Sequence, residues 1–195
     1  MTRPLQEITL ASASPRRLAL LQSLDLRVSV VRSSYEEVDA PQHEAPAAAA
    51  LRHALGKARE AALDGPPVLV AADTIVDVDG AMLGKPRDAA HARAMLRTLS
   101  NRWHVVHTAF AVVDRESDER ASGVESAKVR FIALDDGTIE RYVATGEPLD
   151  KAGAYGIQGR GALMVERIDG DFYTVMGLPL ARLAAAWRDL GYEIP

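Results

Sequence analysis

Two arginines stand where a helix would ordinarily repel them. In Ser12-Ala13-Ser14-Pro15-Arg16-Arg17 the hydroxyl of Ser14 suits a helix N-cap and Pro15 the first helical position, so both arginines fall in the first turn. That turn carries unsatisfied N–H groups and partial positive charge, which disfavours cations unless an anion occupies the site. A phosphate reverses the sign, because amides, dipole and guanidinium forks then all favour it, and Ser12 adds a hydroxyl to the same place. The alternative is that both guanidinium groups turn outward and pair with carboxylates.

Asp73 is the acidic counterpart of this anomaly. It follows the apolar run 68–72, which places a carboxylate at the carboxyl end of a buried strand, where open α/β sheets put their ligands. A charge so placed needs a metal, a cation or backbone donors, and a carboxylate held this way suits a general base; capping a turn is its other use. Glu36, Glu37 and Asp39 form an acidic cluster that either lends a ligand to magnesium, which takes one or two carboxylates plus phosphate oxygens, or is a solvated loop.

Lys57 lies in an alanine-rich segment and Lys85 in the tight turn Gly84-Lys85-Pro86; each either neutralises phosphate or serves solubility alone. In Asp150-Lys151-Ala152-Gly153-Ala154-Tyr155-Gly156-Ile157-Gln158-Gly159, small residues let backbone approach a ligand and Gln158 offers an amide to a base edge. The other reading of that stretch is a rigid surface loop with Asp150 paired to Lys151. His104 and His107 are three apart in a strand, so they face opposite sides of a sheet and cannot share an ion. His43, His53 and His91 read as surface residues. No Gly-x-Ser-x-Gly, Walker-type Gly-Lys-Ser/Thr or Gly-x-Gly-x-x-Gly pattern is present, which removes the main support for nucleophile-elbow hydrolases, P-loop enzymes and dinucleotide oxidoreductases.

The elements that must carry these residues alternate. The pattern predicts strands at 8–11 and 28–31, a helix whose Leu18, Leu20, Leu21 and Leu24 share a face, and an alanine-rich helix over 47–63 broken only by Gly56. A buried strand at 68–72 leads into Asp73-Thr74-Ile75-Val76-Asp77-Val78, with a hairpin turn at Asp79-Gly80 before Met82-Leu83. Asp88 caps a helix carrying Ala92, Met95, Leu96 and Leu99; strands at 103–113 and 124–134 follow, joined by a charged turn over 114–120. A helix at 138–143, a glycine-rich functional loop over 146–161, a strand at 163–168 and a helix from Pro179 to Leu190 complete the chain.

With 195 residues, 48% of them hydrophobic, the chain can bury one core as a single domain or as two joined lobes. Its 23 basic and 27 acidic side chains give a net charge of -4, so no global basic field draws a nucleic acid and any basic site must be local. Zero cysteines exclude disulfides, zinc-thiolate sites and thiol nucleophiles, and no stretch is long and uncharged enough for a bilayer. A cytoplasmic protein is expected.

Taken in order, Leu10-Ala11-Ser12-Ala13-Ser14-Pro15-Arg16-Arg17, Ala72-Asp73-Thr74-Ile75-Val76, Gly84-Lys85-Pro86, Leu99-Ser100, the 148–159 stretch and Val175-Met176-Gly177-Leu178-Pro179-Leu180 resemble the Maf family of nucleoside triphosphate pyrophosphatases. The resemblance covers almost the whole chain. It implies a mixed central sheet flanked by helices, with two lobes and a deep nucleotide-binding cleft similar to inosine-triphosphate pyrophosphatases, and commonly a homodimer. It also implies hydrolysis of a nucleoside triphosphate to monophosphate and pyrophosphate with magnesium or manganese. The most similar branch acts on dTTP and UTP and carries Arg, Thr and Gln at selectivity positions, matched here by Arg16, Thr74 and Gln158. The sister branch acting on 7-methyl-GTP has Trp, Gln and Glu there. Asn101 stands where the family commonly has glycine, and asparagine tolerates positive φ.

On this reading Asp73 is the proton acceptor, Glu37 with Asp73 holds the metal, and Ser12, Arg17, Lys57 and Lys85 bind phosphate. Two competing expectations are a different base, either 7-methyl-GTP or an inosine nucleotide, and a nucleotide-binding regulator of septum formation without turnover.

Overall fold

The computed structural model describes residues 2–37 and 44–194; Asp39 and His43 therefore lie outside the described residues. The elements run β1 (Arg3–Pro4), β2 (Glu7–Leu10), α1 (Pro15–Gln22), β3 (Arg27–Val30), α2 (Pro46–Arg59), β4 (Val68–Val78), β5 (Ala81–Leu83), α3 (Ala89–Leu99), β6 (Trp103–Asp114) and β7 (Arg120–Phe131). They continue with α4 (Asp136–Val143), β8 (Val165–Asp169), α5 (Phe172–Met176), α6 (Leu180–Asp189) and β9 (Tyr192–Glu193).

Among the described residues these strands form a seven-stranded sheet in the order β3-β2-β4-β6-β7-β8, with β5 on the free edge of β4, and a small β1-β9 pair. β2 runs parallel to β3 and β4, whereas β4, β6, β7 and β8 are successively antiparallel. The sheet is thus mixed and flanked by helices, as the sequence led us to expect.

Alternation along β4 explains the two-sided architecture. Val68, Val70 and Ala72 join Ile8, Leu10, Leu21, Leu183 and Trp187 in one core beneath α1 and α6. Further along the same face, Val76 and Val78 join Met95, Leu96, Phe131, Ile139 and Tyr142 in a second core beneath α3 and α4. Thr74 lies between the two. On the opposite face Leu69 and Ala71 belong to one small cluster and Ile75 to another, which packs the alanines of α2. Asp73 falls in the gap there. The alanine content of α2 has a physical reason, since Ala49, Ala50 and Ala54 are completely buried and let the helix lie close on the sheet.

Several expectations need correction. Asp73 is not at the end of a strand: β4 continues to Val78 because its antiparallel pairing with β6 runs from Val68 to Asp77. What ends is β2, whose register with β4 stops at Leu10↔Val70, leaving that edge of β4 open until β5 joins at Val76. The ligand-binding end of a parallel strand is therefore that of β2, and Asp73 lines it from the neighbouring strand. α2 stops at Arg59 rather than residue 63, and β7 begins at Arg120 rather than 124. Residues 159–164, partly expected as strand, form a 3-10 turn from Gly159–Met164 that exposes Leu163. The helix α5 and the β1-β9 pair were not anticipated, being too short to show a periodicity. Asn101 does adopt positive φ, at 56°, and its side chain accepts from Arg130 at 2.9 Å.

Candidate active site

Where β2 ends, the chain turns through Ser12 and Ser14 into α1. Ser14 caps the helix as expected, its Oγ accepting from the Arg17 amide at 3.4 Å with Pro15 in the first turn. Here the two arginines part company. Arg17 turns inward and is held by protein acceptors: Nε donates to the Gly177 carbonyl at 2.8 Å, Nη1 to the Ala72 carbonyl at 2.8 Å and to Ser12 Oγ at 3.1 Å, and Nη2 to Thr74 Oγ1 at 3.0 Å. Burial lowers its pKa despite the nearby Asp73 carboxylate. Arg16 stays partly exposed and lies 3.9 Å from the Asp150 carboxylate.

On the other face of β4, Lys57 projects from α2 and meets two carboxylates at once, Asp73 Oδ1 and Glu37 Oε1, each at 2.6 Å. Burial pushes the Glu37 carboxyl up, but its bond to the Lys57 ammonium, helped by Lys57, Lys85 and His53 charge, holds it below the usual carboxylate range. Asp73 itself is 7% exposed, so nearly all its solvation must come from this partner.

The segment bearing Glu37 is fixed by a side chain that sequence reading missed. The Tyr35 ring lies where a Cβ on Gly56 would be, 2.2 Å from the ideal position, and its hydroxyl bonds His53 Nδ1 at 3.2 Å and Arg52 at 3.4 Å. His53 is thus buried, not a surface residue, because Tyr35 covers it. The signal was the lone glycine in an alanine-rich helix. His91, partly exposed, accepts from the Arg87 amide at 3.2 Å beside the N-terminus of α3, while His104 and His107 do face opposite sides of the sheet, with Tyr155 and Ser126 as partners at 2.8 and 2.7 Å.

These parts open into one cleft of about 990 Å³ that Ser12, Arg16, Arg17, Glu37, Lys57, Asp73, Thr74 and Lys85 all line. The 150–159 stretch supplies its far wall through Asp150, Lys151, Tyr155, Gly156 and Ile157, with Lys151 paired to Asp150 at 2.6 Å. Gln158 is not part of the lining: it follows Ile157 and is exposed. Six cations, Arg16, Arg17, Arg32, Lys57, Lys85 and Lys151, face three carboxylates, Glu37, Asp73 and Asp150, so the cleft carries a net +3 within a chain of net -4. Such a field suits a polyanion.

The residues present also fit a divalent cation. Two carboxylates, those of Glu37 and Asp73, already converge on one positive centre, and magnesium takes one or two carboxylates with water and ligand phosphates.

The structure is thus a mixed α/β sheet crossed by a cleft of net positive charge. Its fold is shared with a HAM1 protein from Coxiella burnetii, which aligns over 94% of this chain and 99% of that one with a TM-score of 0.50 at 19% identity, a likeness of fold alone. The family model for Maf-like proteins matches residues 7–190, and the chain belongs to that family. Relatives named dTTP/UTP pyrophosphatase include one from Salinibacter ruber, 50% identical over 93% of this chain and 89% of its own, and one from Thermus thermophilus, 47% identical over 95% and 96%. A third, from Dictyoglomus thermophilum, is 42% identical over 97% and 98%. No described helix is long and apolar enough to cross a membrane.

Proposed function

We propose that this protein hydrolyses dTTP and UTP to the monophosphate and pyrophosphate. The observation that carries the reading is the junction of Asp73, Lys57 and Glu37 inside a cleft of net positive charge, in a chain 42–50% identical to relatives bearing that activity in their names.

In this reading the triphosphate lies along the cationic wall. Lys85 and the loop at Ser12 neutralise its charge, and Lys57, which here satisfies both carboxylates, turns to phosphate oxygens when they are present. Arg17 acts chiefly by holding the loop, since only one of its five N–H groups lacks a protein acceptor among the contacts above. Glu37 and Asp73 would hold magnesium or manganese, which supplies charge neutralisation at the phosphates. Asp73 orients a water and takes its proton as the oxygen attacks the α-phosphorus; the bond from that phosphorus to the bridging oxygen breaks and pyrophosphate leaves. Arg16, Thr74 and Gln158 read the pyrimidine in this proposal, Arg16 and Thr74 from the cleft wall. A cytoplasmic homodimer belongs to the same reading.

A panel of purified triphosphates with pyrophosphate detection tests the substrate class, and release from 7-methyl-GTP or ITP in preference to UTP and dTTP would overturn it. Asp73→Asn is expected to keep the fold, by an unchanged melting profile, and to lose most turnover, on the order of a hundredfold or more. Near-normal hydrolysis by that variant would remove Asp73 from the role of base.

A further inference from the structure

Thr74 is tied to a second threonine that no element of the proposed chemistry uses. Thr108, completely buried on β6 opposite Thr74, has its Oγ1 2.7 Å from the main-chain carbonyl oxygen of Thr174 and 3.0 Å from Thr74 Oγ1. A carbonyl only accepts, so the single Thr108 hydroxyl proton goes to Thr174. The contact between the two hydroxyls can then be made in one direction alone, with Thr74 donating to Thr108. On its other side Thr74 Oγ1 lies 3.0 Å from Arg17 Nη2, which only donates. Arg17 cannot turn away without breaking its bonds to Gly177, Ala72 and Ser12.

The proton of Thr74 therefore points into the fold, and what it shows the cleft is a lone pair. We propose that Thr108 is a positioning residue which, acting through Thr74, makes Thr74 a hydrogen-bond acceptor only and so selects pyrimidines that carry a proton on N3. Uracil and thymine have that proton; cytosine presents a lone pair at the same ring position. Two acceptors facing each other leave both unpaired, a penalty that reads as roughly tenfold to a hundredfold in relative kcat/KM. The inference deepens the proposed function and rests on its placing of the base at Thr74.

The test compares kcat and KM for UTP and CTP in the full-length protein and in Thr108→Val, Thr108→Ala and Thr108→Ser. Valine and alanine remove the acceptor for the Thr74 proton, which is then free to turn toward cytosine N3. The UTP/CTP ratio of kcat/KM should fall at least tenfold in both, mainly through a lower KM for CTP, and serine should restore the wild-type ratio. Alanine serves if valine does not fold, as judged by thermal melting. An unchanged ratio in the valine or alanine variant, a serine variant that loses the ratio as fully as they do, or a wild type that turns over CTP as well as UTP overturns the inference and leaves the pyrophosphatase reading standing. A wild type that hydrolyses neither UTP nor dTTP overturns that reading, and the inference with it.

Discussion

A glycine in the middle of an exposed helix ordinarily costs about 1 kcal/mol relative to alanine, so replacing Gly56 should stabilise α2 if propensity alone decided. Packing decides otherwise, because the new Cβ would sit 2.2 Å from the Tyr35 ring. Gly56→Ala is expected to destabilise the protein by about 1–3 kcal/mol and to lower kcat/KM, since Tyr35 stands two residues before Glu37. Chemical denaturation checks this, and if the clash is the cause, Tyr35→Ala should cost less in the Gly56→Ala background than in the wild type. At this scale much of the site was legible. Arg16, Arg17 and Asp73 were visible because each broke a local rule, a cation in the first turn of a helix or a charge after an apolar run. Gly56 broke one too, but a glycine names no partner, and Tyr35 lies 21 positions earlier in the chain. Thr108 gave no signal, since threonine is an ordinary strand residue and only the register of β6 against β4 sets it beside Thr74.

Elements meet at the glycine-rich stretch, where His104 of β6 reaches Tyr155 at 2.8 Å within an edge-to-face cluster that includes Phe131. Burial pushes the His104 imidazole from 6.5 down to about 4 and keeps it neutral in the fold. The unfolded chain therefore binds a proton that the folded one refuses, and stability falls as pH drops from 6.5 toward 4, below which the loss is complete. His104→Gln keeps a group for the Tyr155 hydroxyl but does not titrate. Its denaturation midpoint should vary less with pH across that window, and a slope as steep as the wild type would discount the histidine. The types of the longer elements were readable from periodicity, whereas their lengths were not. β4 reads as ending at Asp73 because a charge interrupts the apolar run, yet the hydrogen bonds to β6 continue past it. The end of the 159–164 turn reads as the start of a strand because Leu163 is apolar, and only the structure shows that side chain 79% exposed.

At the scale of the whole molecule, β4 and β6 run without a break from the core under α1 and α6 to the core under α3 and α4, paired residue by residue from Val68↔Asp114 to Asp77↔Val105. The cleft opens over the middle of that ladder rather than over a linker. Widening or narrowing it must flex a hydrogen-bonded ribbon, which behaves as a leaf spring and not as a door on a pin. The breathing that admits a ligand should accordingly be elastic and shallow, with amides of Ala72 to Val76 that face β6 exchanging slowly with and without UTP. Rapid exchange there in the free protein would reveal a swivel that the ladder forbids. A spring of this kind returns by itself, so reopening after turnover is expected to draw its restoring force from the same strand that carries Asp73.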